Sequence, residues 1–295
     1  MTDRAIYQAN EVNEFRDNQQ ASSWQGNLEL KFTCKQDTTQ LIHCLGKAPL
    51  KLQRPFYPEG PQICHGVILH TAGGVVGGDR LSLDIHLDAD TQVLLTQAAA
   101  SKIYRSEGLE AHQQVRITLE PGAWLEWLPR ETIVFNQAHY HQDLRVELAT
   151  GAVWLGWEIT RLGRTARGEQ FLQGHWRSHT EVWQQGTPLW IDPQWLPGGE
   201  ELLKSYHGLG DYPVVGTLVL IGQAAEAELI AQIRQLWNAE KFEGETGVTR
   251  LMSGLLCRYR GFSTQSARNW FMQVWHLLRL HYRHQPACQP RIWQL

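Results

Sequence analysis

The feature that most constrains the fold of this chain is alternation. From Leu28 onward apolar residues recur at every second position: Leu28, Leu30, Phe32 and Cys34 against Glu29, Lys31 and Thr33, then Leu81, Leu83, Ile85 and Leu87 against Ser82, Asp84, His86 and Asp88. Val115, Ile117 and Leu119, and later Leu144, Val146 and Leu148, follow the same rule. Successive side chains of a strand point to opposite faces, so this period marks strands with one buried face. Turns separate them at Asp88-Ala89-Asp90, Pro121-Gly122 and Thr150-Gly151, where Pro presets φ and Gly supplies positive φ. Regular short strands without helices between them predict a mainly β body rather than alternating β-α units.

The period changes twice near the end. Leu229, Ile230, Ile233, Leu236 and Trp237 fall on one stripe of a helix predicted over Ala224 to Trp237, with Glu226 and Glu228 early in it, where the helix dipole favours acids. A second helix is predicted from Ser263 or Thr264 to about His284, with Phe271, Val274, Trp275, Leu278 and Tyr282 on its apolar face, stopping before Pro286. Pro193 to Gly199 reads as a loop. The sequence shows no repeat of fixed period, and it divides into a polar leader, residues 1–23, and a single domain over residues 24–295.

Charge and composition exclude several classes. With 27 Lys and Arg against 30 Asp and Glu, the formal net charge of −3 gives no general attraction to phosphate backbones or anionic lipid, so neither nucleic acid nor a membrane is an expected partner. No uncharged apolar run approaches the ~18 residues of a membrane span, and the polar N-terminus has no secretory signal, which predicts a cytoplasmic protein. The five cysteines are scattered, without a Cys-x-x-Cys, so neither a disulfide framework nor a thiolate zinc site is expected.

The most unusual local stretch is His70-Thr71-Ala72-Gly73-Gly74-Val75-Val76-Gly77-Gly78-Asp79-Arg80. It is not a phosphate loop: Gly78 leads through Asp79-Arg80 into a strand, whereas a phosphate loop needs Gly-Lys-Ser/Thr entering a helix. It reads as tight turns or bulges that only Gly fits, with Asp79 and Arg80 bonded to nearby backbone or to each other.

These residues belong to an ordered series. It runs from Pro49-Leu50 and Gln53-Arg54-Pro55-Phe56-Tyr57-Pro58-Glu59-Gly60 through Cys64-His65, the Gly73 to Arg80 motif, Thr96-Gln97-Ala98-Ala99 and Lys102-Ile103-Tyr104-Arg105-Ser106. It continues with Leu125-Glu126-Trp127-Leu128-Pro129, Glu131-Thr132-Ile133, Phe135-Asn136, Trp157-Glu158, Arg161-Leu162-Gly163-Arg164, Gly168-Glu169 and Phe171, and closes with Leu256-Cys257-Arg258-Tyr259-Arg260-Gly261 and Pro290-Arg291-Ile292-Trp293. The series resembles the urease accessory protein family UreD, called UreH in some organisms, across nearly everything after Trp24. Thr71-Ala72 stand where some relatives have prolines, and Arg130 where some have Gln.

The resemblance implies an irregular β-helix-like stack of strands with two α-helices in the C-terminal third. It implies a scaffold without catalytic residues that helps insert nickel into apo-urease, in complex with UreF and, through UreF, with UreG. GTP would be bound by UreG, no cofactor would be held tightly here, and nickel would be held only transiently. A conduit for Ni²⁺ must use few ligands or water, since N, O and S donors together trap the ion. Candidate donors are His139-x-His141, which would share one strand face, Cys64-His65 and His281-x-x-His284. Asp79, Lys102, Arg105, Glu126, Glu131, Glu158, Arg161, Arg164 and Glu169 lie among apolar residues, where charge is costly unless paired or hydrated. They either line a polar passage or form structural ion pairs, for example between the Glu158 and Arg161 region and the Glu126 and Glu131 region. The segment from Trp176 through Trp195 and the two helices are expected contact surfaces. A rival reading is a cytosolic carbohydrate-active β-helix enzyme, with Glu126 and Glu131 or Glu158 and Glu169 as its carboxylate pair.

Overall fold

The structure, a computed structural model, describes residues 23–240 and 243–294; all but the last residue of the expected polar leader lies outside them. Seven strands form one sheet: β1 (Gln25–Lys35), β2 (Thr38–Lys47), β5 (Arg80–Leu87), β8 (Ala111–Leu119), β11 (His139–Leu148), β13 (His175–Gln184) and β14 (Thr187–Pro197), in the order β14-β13-β11-β8-β5-β1-β2. The second sheet has the order β16-β17-β15-β12-β9-β6-β4-β3. Its strands are β3 (Leu50–Leu52), β4 (Ile63–His70), β6 (Gln92–Gln97), β9 (Trp124–Leu128), β12 (Val153–Leu162), β15 (Val214–Ile221), β16 (Glu245–Leu251) and β17 (Gly254–Gly261). Short strands β7 (Ser101–Ile103) and β10 (Thr132–Val134) extend it beside β12.

From β5 to β13 the chain alternates between the sheets, so each coil contributes one parallel strand to either sheet, as in a β-solenoid. Ile85, Ile117, Val146 and Val182 stack in register although 32, 29 and 36 residues separate them. Unequal outer turns therefore hide the repeat, while the alternating apolar positions hold the stack.

Three helices follow: α1 (Glu200–Lys204), α2 (Ala227–Glu240) and α3 (Thr264–Arg283). The last two correspond to the predicted pair, and α1 is an unpredicted single turn. Pro193 to Gly199 is not wholly a loop, since β14 runs to Pro197 as an edge strand, where a missing N–H does not interrupt a ladder between two neighbours. α3 begins at Ser263, whose Oγ accepts from the Ser266 N–H at 3.1 Å, and ends at His284 with φ 54°. No helix among the described residues is long and apolar enough to cross a membrane.

Two cores result. One lies between the sheets and includes Leu83, Val115, Leu144, Trp154 and Val219. The other fills the space between the outer face of the second sheet and the helices, with Leu94, Leu155, Leu218, Ile233, Trp270, Phe271 and Trp275. The second sheet is thus covered on both faces, which explains the nearly continuous apolar runs of β12 and β15.

The glycine motif is a turn held from inside. A Cβ on Gly74 would lie 2.7 Å from the Lys102 carbonyl oxygen, and one on Gly77 would lie 2.6 Å from that of Leu109. Gly78 takes φ 91°. Asp79 is fully buried and its two carboxylate oxygens accept the N–H groups of Trp24 at 2.8 Å and Val76 at 2.9 Å, fastening the start of β1 to the turn.

Candidate functional site: a polar cavity between the sheets

The charged residues among the apolar strands separate according to strand parity. On β12, Trp157 and Ile159 face the helices, so Glu158 faces the other sheet. Its Oε2 accepts from Ser178 Oγ at 2.8 Å and its Oε1 from Thr160 Oγ1 at 3.2 Å. Burial pushes the Glu158 carboxyl up, the hydroxyl hydrogen bonds pull it back, Asp192 raises it and Arg258 lowers it, with a net rise. Arg258 contacts Asp192 Oδ1 at 2.6 Å and donates to Thr217 Oγ1 at 2.6 Å, while Gln194 donates to Asp192 Oδ2 at 2.7 Å.

Glu158 lines a cavity of about 40 Å³ between the sheets, with Gln97, Gln113, Gln142, Arg130, Asp192 and Thr217 among its polar walls. A water needs roughly 10–15 Å³ of such space, so the cavity has room for a few waters. Arg130 leaves its Nε and one terminal nitrogen buried without a hydrogen-bond partner, and Glu131 is 3.8 Å away. Gln97, Ser101 and Gln113 also line a cleft of about 220 Å³ at Gly73 and Gly74, which Lys102 borders. Thr217 also lines a cleft of about 590 Å³ that contains Gln194 and Arg258. Two clefts therefore adjoin the cavity, one through Gln97, Ser101 and Gln113 and the other through Thr217.

Other candidates lie elsewhere. Glu126 faces α3, where its Oε1 is 3.3 Å from Arg279 Nε; Arg279 also contacts Glu59 Oε2 at 2.7 Å, and Glu59 Oε1 meets His65 Nε2 at 2.7 Å. Glu131 pairs with Arg268 of α3. Arg164 Nε donates to Glu169 Oε2 at 2.9 Å, and Arg161 donates to the Phe262 carbonyl at 2.9 Å. Arg105 is exposed. The direct ion pairs of Glu126 and Glu131 thus run to α3, while the Glu131 charge also acts on Arg161 without a contact. The proposed hydrolytic pairs are not free carboxylate pairs: Glu126 and Glu131 both face α3 but are each held there by a different arginine, Arg279 and Arg268, and Glu158 is between the sheets while Glu169 is bound in the turn with Arg164.

β4 sends Cys64 and His65 to opposite faces, so they share no site. Burial pushes the Cys64 thiol up to about 11, leaving it protonated and a poor ligand. His281 and His284 are exposed at the end of α3, and no third donor joins them among the described residues. His139 and His141 do share the outer face of the first sheet. The parallel register adds residues that sequence reasoning missed: His112 opposite His141, His175 opposite His139, His179 opposite Asp143, and nearby Glu110. A His-x-His-x-Asp run on one face, together with His175-x-x-x-His179, was the available signal.

In comparisons with known proteins, a family profile described as UreD urease accessory protein matches residues 25–294. The relatives matched include proteins named urease accessory protein UreD. That of Nostoc punctiforme is 60% identical over 93% of this chain and 98% of its own length. That of Acaryochloris marina is 55% identical over 93% and 96%, and that of Synechocystis is 42% identical over 86% and 94%.

Proposed function

The chain belongs to the UreD family of urease accessory proteins, and from that membership we propose that it is a non-enzymatic scaffold for inserting nickel into apo-urease. It works with UreF and, through UreF, with UreG, which binds and hydrolyses the GTP. Nickel is cargo in this scheme, and the chain's task is to let the ion pass without keeping it.

The observation that carries this reading is the cavity with polar walls between two otherwise apolar sheets, lined by Glu158. A carboxylate with raised proton affinity and no ion-pair partner among the described residues can exchange its proton for a divalent ion. Asp192, a second carboxylate in the walls, is already held by Arg258, and Gln97, Gln113, Gln142, Thr180 and Thr217 offer amide and hydroxyl oxygens, weak donors that favour movement over retention. Arg130 and Arg258 flank the route and limit how long positive charge can rest there. The route enters at the Gly73 and Gly74 cleft and leaves beside Arg258, or the reverse.

The test is reconstitution of apo-urease with UreF, UreG, GTP, bicarbonate and nickel, with and without this chain. Glu158→Gln should lower the nickel content of the matured enzyme several-fold while UreF pull-down stays unchanged. Loading at the wild-type level by the Gln variant would remove Glu158 from the route; urease that loads equally well without the chain would remove the scaffold.

A further inference from the structure

The outer face of the seven-stranded sheet carries a second arrangement that the passage does not use. We propose that His112, His141 and Asp143 form a binding site for a late first-row divalent cation such as Ni²⁺ or Zn²⁺. Parallel strands about 4.8 Å apart place residues in register directly side by side, and residues two further along share the same face about 6.6 Å away. His112 of β8 lies opposite His141 of β11, their ring centroids 4.9 Å apart, and Asp143 follows two residues on.

The donor atoms converge. His112 Nε2 is 2.7 Å from Asp143 Oδ2, His141 Nε2 is 3.2 Å from Asp143 Oδ1, and one donor atom from each of the three residues lies within 4.8 Å of the others. Tetrahedral bonds of about 2.0–2.1 Å separate ligand atoms by about 3.3 Å, so small side-chain rotations bring all three onto one ion. Two imidazoles with one carboxylate match zinc, nickel, copper and iron(II), and disfavour magnesium and calcium.

A second observation points the same way. The other nitrogen of His141, Nδ1, is 3.8 Å from Glu110 Oε1, and Glu110 Oε2 is fixed by His175 Nε2 at 2.7 Å. Glu110 thus stands beside the far nitrogen, where a shift of less than about 1 Å would make the hydrogen bond that orients a metal-binding histidine and strengthens it as a donor. His179 Nδ1, 3.8 Å from Asp143 Oδ1, stands where a fourth ligand could enter.

Competing cations on this face are engaged elsewhere. Arg145 reaches Glu147 and Glu181 and stacks on Trp183, and Arg177 lies over Trp195; Arg80, next to His112 in register, is exposed. The three candidate ligands are a quarter to a third exposed, at 25%, 27% and 31%, which leaves coordination positions open to water and makes the ion exchangeable. Because Gln142 and Leu144 line the cavity while His141 and Asp143 alternate with them, the two sites occupy opposite faces of the sheet and stand independently.

Equilibrium dialysis of the full chain against Ni²⁺, repeated with Zn²⁺, tests the site without any urease readout. The wild type should bind one equivalent that excess Mg²⁺ does not displace. His112→Ala with His141→Ala should remove it or weaken it at least tenfold. His141→Gln, which keeps a polar side chain on the face, should show the same loss with an unchanged circular dichroism spectrum, and His43→Ala should bind as the wild type. Wild-type stoichiometry and affinity in the double variant, or no such equivalent in the wild type, overturns the proposal.

Discussion

Glu126 and Glu158 stand on neighbouring strands of the same sheet and are opposites in environment. Glu126 is buried against Arg279, so Glu126→Gln leaves that buried cation with Glu59 as its remaining carboxylate partner and should cost about 1–3 kcal/mol, read from urea denaturation. Glu158 has hydroxyl partners instead, and its folded pKa is raised, so its stabilising contribution is present below the unfolded carboxylate value and is lost as pH rises through the raised one. Glu158→Gln keeps an acceptor without the charge, and should leave neutral-pH stability equal or higher by the same measurement; a large loss would mean that the charge itself is structural. The thiols sort in the same manner. All three of Cys44, Cys64 and Cys257 have raised pKa, but Cys64 and Cys257 are buried, so a thiol reagent should leave both untouched until the chain unfolds, while exposed Cys44 reacts before them. The sequence identified these charged residues but not their faces, because β12 is apolar on both sides from Val153 to Trp157, and the alternation of Glu158 and Thr160 with Trp157 and Ile159 does not say which side meets the helices.

Among the elements, α3 depends on the buried chain of contacts Glu126, Arg279, Glu59 and His65. Burial pushes the Glu59 carboxyl up, but hydrogen bonds from His65 and Arg279 and the Arg279 charge outweigh it and hold the group below its ordinary value. The stability this provides is present above the unfolded carboxylate value and is lost as pH falls through the folded one. Acid titration should therefore weaken α3 docking below about pH 4.3, seen as a change in tryptophan fluorescence from Trp270 and Trp275, and Glu59→Gln should flatten that transition. Edge strands show another contrast. β14 carries Pro188, Pro193 and Pro197, which blunt pairing with another chain, whereas β2 exposes Ile42 and Leu45 without a proline. Leu45→Lys should reduce self-association in light scattering with little change in melting temperature. The two long helices were legible because their apolar stripes are strong; β14 was misjudged because proline marks loops and edges alike.

Across the whole molecule, alternation was sufficient to predict a β body, and the stacking of Ile85, Ile117, Val146 and Val182 shows why no period accompanied it. The cavity was not legible, since its walls come from strands as far apart as β6 and β15 and meet only when the coils close. The histidine face was half legible: His139 and His141 share a strand, but His112 joins them only through register. The order of elements has a further consequence. α3 covers strands that all precede it, among them β12, β15 and β17. At roughly 5–20 residues per second of synthesis, the wall formed by Leu94, Leu155 and Leu218 emerges from the ribosome many seconds before its cover does. A newborn chain thus carries a sticky surface that must be shielded from its neighbours until α3 has been made.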